Sequence, residues 1–234
     1  MPIVTRTIRH EMGGIAFEML AAWDGTIIGP RPAVMVAGTF MGRTPFEDEK
    51  AVKLAEAGYV GVAVDVYGVD TRPSGPESAQ AAMGVLNGDR ALLRDRMFGS
   101  LAAVRGLDAP VDPARIAAIG FCFGGKCVLD LARAGGDVLG IATFHGVYDA
   151  PPFVNAAITA KALILDGWDD PLCPPDAKVA LAKELNDAGA DWQLLSYGRT
   201  VHAFTNPKRP EMYRPLIAAR SWRALDIFLA EIFG

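Results

Sequence analysis

The chain has 234 residues, 51% of them hydrophobic, with 23 Lys+Arg against 27 Asp+Glu and a formal net charge of -4. This balance, without any long basic run, argues against nucleic acid or an anionic membrane surface as the main partner and leaves a small molecule as the expected ligand. Three cysteines make no disulfide framework, no apolar signal core opens the sequence and no later stretch is long enough to span a membrane, so a cytoplasmic protein is expected.

No linker, repeat or low-complexity segment divides the chain, and a single domain over residues 1–234 is expected. Residues 3–9 and 15–23, on either side of Gly13-Gly14, read as an antiparallel hairpin, with His10 a solvated side chain beside its turn. Residues 33–37 read as a buried strand. The loop that follows, Gly38-Thr39-Phe40-Met41-Gly42, lies at a carboxyl end of the kind where ligands bind in open α/β sheets. A helix is predicted over 45–57, closed by Gly58, then a strand over 59–66. Residues 71–87, which include Pro73 and Pro76, read as an irregular loop. The spacing of Leu93, Met97, Leu101 and Val104 predicts a helix from Asp89 to Gly106.

Residues 115–121 form an apolar strand, and a helical pattern starts at Phe123. Strands are predicted over 138–144, 162–166 and 191–197, and helices over 176–188 and 215–233. Strands and helices alternating at these lengths predict an α/β fold: a mostly parallel central sheet with helices on both faces, entered through the antiparallel hairpin.

Chemistry concentrates in Gly120-Phe121-Cys122-Phe123-Gly124-Gly125. A side chain on a tight strand-to-helix turn needs small residues two before and two after it, and Gly120 and Gly124 supply them around Cys122. A thiol is mostly protonated at neutral pH, and a helix N-terminus is one setting that favours thiolate. The same residues also read as a buried cysteine next to glycines that end a strand. A nucleophile needs a base, and the base an orienting acid. His202 lies between the last strand and the last helix and is the candidate base. His145 also follows a strand, but reads first as a structural histidine. Asp166, Asp169 and Asp170 share one loop, where turn chemistry is the plainer explanation for any of them. Cys122, an aspartate near 170 and His202 follow the nucleophile, acid, base order of an α/β-hydrolase.

These stretches, with Gly58 to Gly68, Gly167-Trp168-Asp169-Asp170-Pro171 and Val201-His202-Ala203-Phe204, resemble the dienelactone hydrolase family of α/β-hydrolases over nearly the whole chain. The resemblance implies an α/β-hydrolase fold and a Cys122, His202, Asp170 triad, and it selects Asp170 from the three aspartates. It implies an oxyanion hole of the Phe123 and Phe40 backbone N–H groups. The implied activity is cleavage of a small ester or lactone through an acyl-enzyme, with no cofactor and no metal site. Thr39 stands where the family has a glutamate that contacts the thiol, and Asn206 where it has an arginine for the substrate carboxylate.

Three other readings compete. Gly120-x4-Gly125-Lys126-Cys127 is one residue short of a phosphate-binding loop, lacking the hydroxyl that would hold Mg²⁺. Cys122 as a redox thiol would need Cys127 or Cys173 as its resolving partner. A non-catalytic ligand-binding relative would fit Thr39 in place of the glutamate.

Overall fold

The computed structural model describes residues 2–234. The elements in chain order are β1 (Ile3–Met12), β2 (Ile15–Asp24), β3 (Arg31–Ala37), α1 (Pro45–Glu56), β4 (Val60–Val64), α2 (Pro76–Gly88), α3 (Arg90–Arg105), β5 (Val111–Phe121), α4 (Phe123–Arg133), β6 (Gly140–Phe144), β7 (Lys161–Gly167), α5 (Pro175–Asp187), β8 (Trp192–Tyr197) and α6 (Pro215–Phe233), with a 3-10 turn at Val69–Thr71. The strands form one eight-stranded sheet.

The chain divides into two compact units, Met1–Ala118 and Ile119–Gly234, and β5 runs from the first into the second. In the first unit the strand order is β1-β2-β4-β3-β5. The β1–β2 hairpin is antiparallel from Ile3 opposite Asp24 to Met12 opposite Ile15, β2 pairs antiparallel with β4, and β3 and β4 are parallel. His10 is not solvated as the sequence suggested: it stacks on Phe17 at 5.4 Å, with both ring nitrogens buried. Helix α1 begins at a capping box in which Thr44 and Glu47 satisfy one another's end of the first turn. Gly61 is needed beneath it, because a Cβ there would lie 2.1 Å from the Ala51 carbonyl oxygen.

Residues 76–88 overturn the expected irregular loop, for they form α2. Pro76 occupies the first helical position, where its missing N–H costs nothing. Only Ala79 and Leu86 of this helix are buried while the apolar Val85 is exposed, so its apolar residues do not mark one buried face.

In the second unit the order is β5-β6-β7-β8, with β6–β7 and β7–β8 parallel. All five residues of β6 and six of the seven in β7 are buried, as strands covered on both faces must be. Helix α4 is buried along its whole length, including Lys126, Asp130 and Arg133. The Arg133 guanidinium pairs with Glu184 at 2.7 Å and Asp130 at 3.3 Å, and donates to the Tyr148 and Asp149 carbonyls. It thereby fastens the segment after β6 to helices α4 and α5. Among the described residues no helix is long and apolar enough to cross a membrane.

Candidate active site

Cys122 occupies the single position between β5 and α4, at φ 57° and ψ -116°. Such a conformation costs a non-glycine residue about 1–3 kcal/mol and persists only where its surroundings impose it. Here the Cys122 N–H donates to the Phe144 carbonyl at 3.0 Å, and the Cys122 carbonyl accepts from the Gly125 N–H at 3.0 Å. A Cβ on Gly120 would lie 2.0 Å from the Gly124 oxygen, and one on Gly125 would lie 2.7 Å from the Gly146 Cα. The glycines are therefore demanded by the close passage of the helix start over β5 and over the segment after β6. Cys122 itself is half-buried, whereas Cys127 and Cys173 are buried.

His202 and Asp170 meet in the same unit: Nδ1 of His202 is 2.7 Å from Oδ2 of Asp170, whose Oδ1 accepts the Leu172 N–H at 2.8 Å. The carboxylate is thus held by one oxygen and engages the imidazole with the other. Burial alone would lower the His202 pKa, but the hydrogen bond to Asp170, then the interaction with Cys122 and the charges of both groups, outweigh it and raise the value to about 9. The buried Nε2 makes no hydrogen bond of standard geometry. Cys122 nonetheless lies near enough to the ring to help raise its pKa.

Of the other aspartates, Asp169 is exposed and Asp166 is paired with Lys178 at 3.0 Å. Only Asp170 of the three bonds to His202.

His145, read from sequence as a structural histidine, is buried and hydrogen-bonded beside this pair. Its φ is 40°, its ring lies edge-on to His202 at 5.0 Å and to Phe204 at 5.2 Å, and Nε2 is 2.8 Å from Thr205 Oγ1. Burial, then the charge of His202, holds its pKa well below the ordinary value, so the two adjacent imidazoles differ in charge: His202 takes the proton and His145 stays neutral. The signal available in sequence was a histidine directly after a strand, at the same sheet edge as Cys122.

Within the first unit, Thr39 and Phe40 lie in the loop after β3. The Thr39 N–H donates to Oε1 of Glu47 at 3.1 Å, the Met41 N–H to Thr39 Oγ1 at 3.4 Å and the Gly42 N–H to the Thr39 carbonyl at 2.9 Å. The Tyr67 hydroxyl donates to the Phe40 carbonyl at 2.9 Å. These bonds fix the Phe40 peptide. Glu47 and Tyr67 were not singled out from sequence. Glu47 is fully buried, and burial raises its pKa despite the donors around it. Asn206 turns its side chain onto the Lys208 N–H at 2.9 Å, while Lys208 and Arg209 are exposed.

A family model, the dienelactone hydrolase family, matches residues 19–233. The chain belongs to the dienelactone hydrolase family. Its fold is the α/β-hydrolase fold, and like the family it is a hydrolase acting on ester bonds. A crystal structure of a dienelactone hydrolase-like promiscuous phosphotriesterase from metagenomic libraries is 33% identical, with a TM-score of 0.93 over 99% of both chains. A Bradyrhizobium protein named "Probable 2-oxo-3-(5-oxofuran-2-ylidene)propanoate lactonase" is 29% identical over 87% of this chain and 85% of its own. An esterase from Thermogutta terrifontis, 16% identical with a TM-score of 0.74 over 97% of this chain and 92% of its own, shares the fold.

Proposed function

We propose that this family member cleaves a small ester or lactone through a Cys122, His202, Asp170 triad. The observation that carries the reading is the 2.7 Å bond from His202 Nδ1 to Asp170, in a unit where the other ring nitrogen is left for the strained Cys122. The Cys122 thiolate attacks the carbonyl carbon, and the carbonyl π electrons move onto oxygen as an oxyanion. When the C–O bond breaks, the leaving alkoxide takes the proton that the His202 imidazolium holds. Water then attacks the thioester while His202 accepts its proton, and the acid departs as the sulfur leaves.

The oxyanion is assigned to backbone donors. Phe123 is the first residue of α4, where the helix dipole favours negative charge, and in the first unit Glu47 and Tyr67 hold the Phe40 peptide on either side of its N–H. Substrate carboxylate recognition by arginine, as in the namesake enzymes, is not proposed, because Asn206 closes its own turn.

The burial of Cys127 and Cys173 favours hydrolysis over the redox reading. Burial, with the Asp170 charge, pushes the Cys173 thiol up to about 12, which makes it a poor resolving thiol.

The test is a panel of p-nitrophenyl esters, lactones and thioesters, run with the parent and with Cys122→Ala; a phosphotriester is added because a relative is named a phosphotriesterase. Turnover of esters or lactones that vanishes in Cys122→Ala is expected. Full activity in that variant, or peroxide turnover without ester turnover, would overturn the reading.

A further inference from the structure

Lys178 lies on α5 and is only 3% exposed. Its Nζ is 3.0 Å from Asp166 Oδ2, donates to the Trp168 carbonyl at 3.3 Å and also donates to the Cys173 carbonyl. An ammonium has three donors and no acceptor, and here three oxygens meet it. Two of them belong to the loop that carries Asp170, one on each side of that residue. The third belongs to the end of β7, from which the loop departs.

The loop's other bonds are short-range turns, among them the Asp170 N–H to the Gly167 carbonyl at 3.2 Å, or ties to the 197–202 segment, and none of them reaches α5. The loop's first half is tied outward by the Trp168 N–H to the Tyr197 carbonyl at 2.9 Å and by the Asp169 N–H to the Thr200 carbonyl at 3.0 Å. Its second half is folded onto Asp170 itself, through the Leu172 N–H to Oδ1 at 2.8 Å and the Cys173 N–H to the Asp170 carbonyl at 3.2 Å. Lys178 spans the two halves directly, carbonyl to carbonyl, and ties both to the helix. A buried ion pair is a poor source of stability, since apolar residues of similar shape often serve as well or better. What an apolar pair could not supply is the fixed span between the Trp168 and Cys173 carbonyls.

We propose that Lys178 is a positioning residue, one that clamps the 168–173 loop so that Asp170 stays on His202. The proposal rests on the triad reading above. Lys178 acts through the loop backbone and touches no reacting atom.

The experiment compares Asp166→Leu/Lys178→Met, Asp166→Asn and Asp170→Asn with the parent. The double variant removes both buried charges together, because Lys178→Met alone would strand a buried carboxylate. Steady-state kinetics on p-nitrophenyl acetate are measured beside melting temperature and the NMR titration of the His202 ring. The groups that face that ring are Asp170, Cys122 and His145, and all three are unchanged in the double variant. Its expected behaviour is a melting temperature within about 5 °C of the parent, and kcat lower by about a hundredfold with KM within about twofold. The His202 midpoint should fall from its starting value of about 9. Asp166→Asn keeps Lys178 on both carbonyls and should retain the midpoint and most of kcat.

A folded double variant with an unchanged midpoint and unchanged kcat would overturn the proposal. So would a double variant that fails to fold together with an Asp166→Asn whose midpoint falls, since the charge pair and not the carbonyl clamp would then be what matters. If Asp170→Asn itself changes neither kcat nor the midpoint, the triad reading is what fails.

Discussion

Oδ2 of Asp170 lies 2.7 Å from Nδ1 of His202, and both side chains are buried. A carboxylate in that place keeps Nδ1 as a donor and leaves Nε2 to face Cys122. An amide of the same shape would favour the wrong tautomer. Asp170→Asn is therefore expected to lower kcat on p-nitrophenyl acetate by about 10²–10⁴ with little change in folding. Stopped-flow hydrolysis beside a thermal melt checks this.

The three thiols should react very differently. Cys122 is half-buried at a helix start, whereas Cys127 and Cys173 are buried and Cys173 is pushed up to about 12. Iodoacetamide at neutral pH should modify Cys122 alone and abolish esterase activity in step with its incorporation. Cys127→Ala should be inactivated at the parent's rate. Peptide mapping by mass spectrometry gives the answer, and a first modification at Cys173 would contradict it.

The elbow should tolerate no side chain at Gly120. A Cβ there would meet the Gly124 oxygen at 2.0 Å, and backbone offers no rotamer by which to escape. Gly120→Ala is expected to destabilise the protein by about 3 kcal/mol, at the upper end of ordinary overpacking. Urea unfolding measures the loss.

Stability should depend on pH through His202. Its folded pKa of about 9 lies above the ordinary value of 6.5, so the charged form is the one that folding favours. Its contribution is complete below 6.5 and is lost as pH rises through 9. His145 acts in the opposite sense: its folded pKa is lowered, so acid below its ordinary range should cost stability. Melts across pH should show the alkaline loss disappear in His202→Gln, while the acid limb assigned to His145 remains.

Fixing the Phe40 peptide should matter to the chemistry more than to the fold. Tyr67→Phe deletes the hydroxyl that donates to the Phe40 carbonyl at 2.9 Å, a bond whose net contribution to stability is about 1 kcal/mol. If Phe40 supplies an oxyanion donor, kcat should fall by about tenfold or more. Alkylation of Cys122 by iodoacetamide, which passes through no oxyanion, should keep its rate.

Much of this protein could be read from local pattern. The Gly120, Cys122, Gly124 spacing implies a strained strand-to-helix turn, and a Cβ at Gly120 would indeed meet the Gly124 oxygen. Buried strands such as β6 and β7 announce themselves as apolar runs, the first helix as a capped stretch and the last as a periodic apolar one. What local pattern lacks is contact between residues distant in the chain. Nothing nearby in sequence distinguishes Asp170 from Asp166 and Asp169 by residue chemistry. Their difference arises because β7 and the 198–206 loop bring one of them to His202, while α5 brings Lys178 to another. The reading of His145 as structural needed only its own segment, but its contact with His202 could not be read there, since His202 is 57 positions away. Helix α2 was missed for a different reason, since its apolar residues are not confined to the face it buries. Residue identities supplied the reactive groups, and the tertiary structure decided their charge states and partners, because those depend on burial and on neighbours that the order of the chain does not contain.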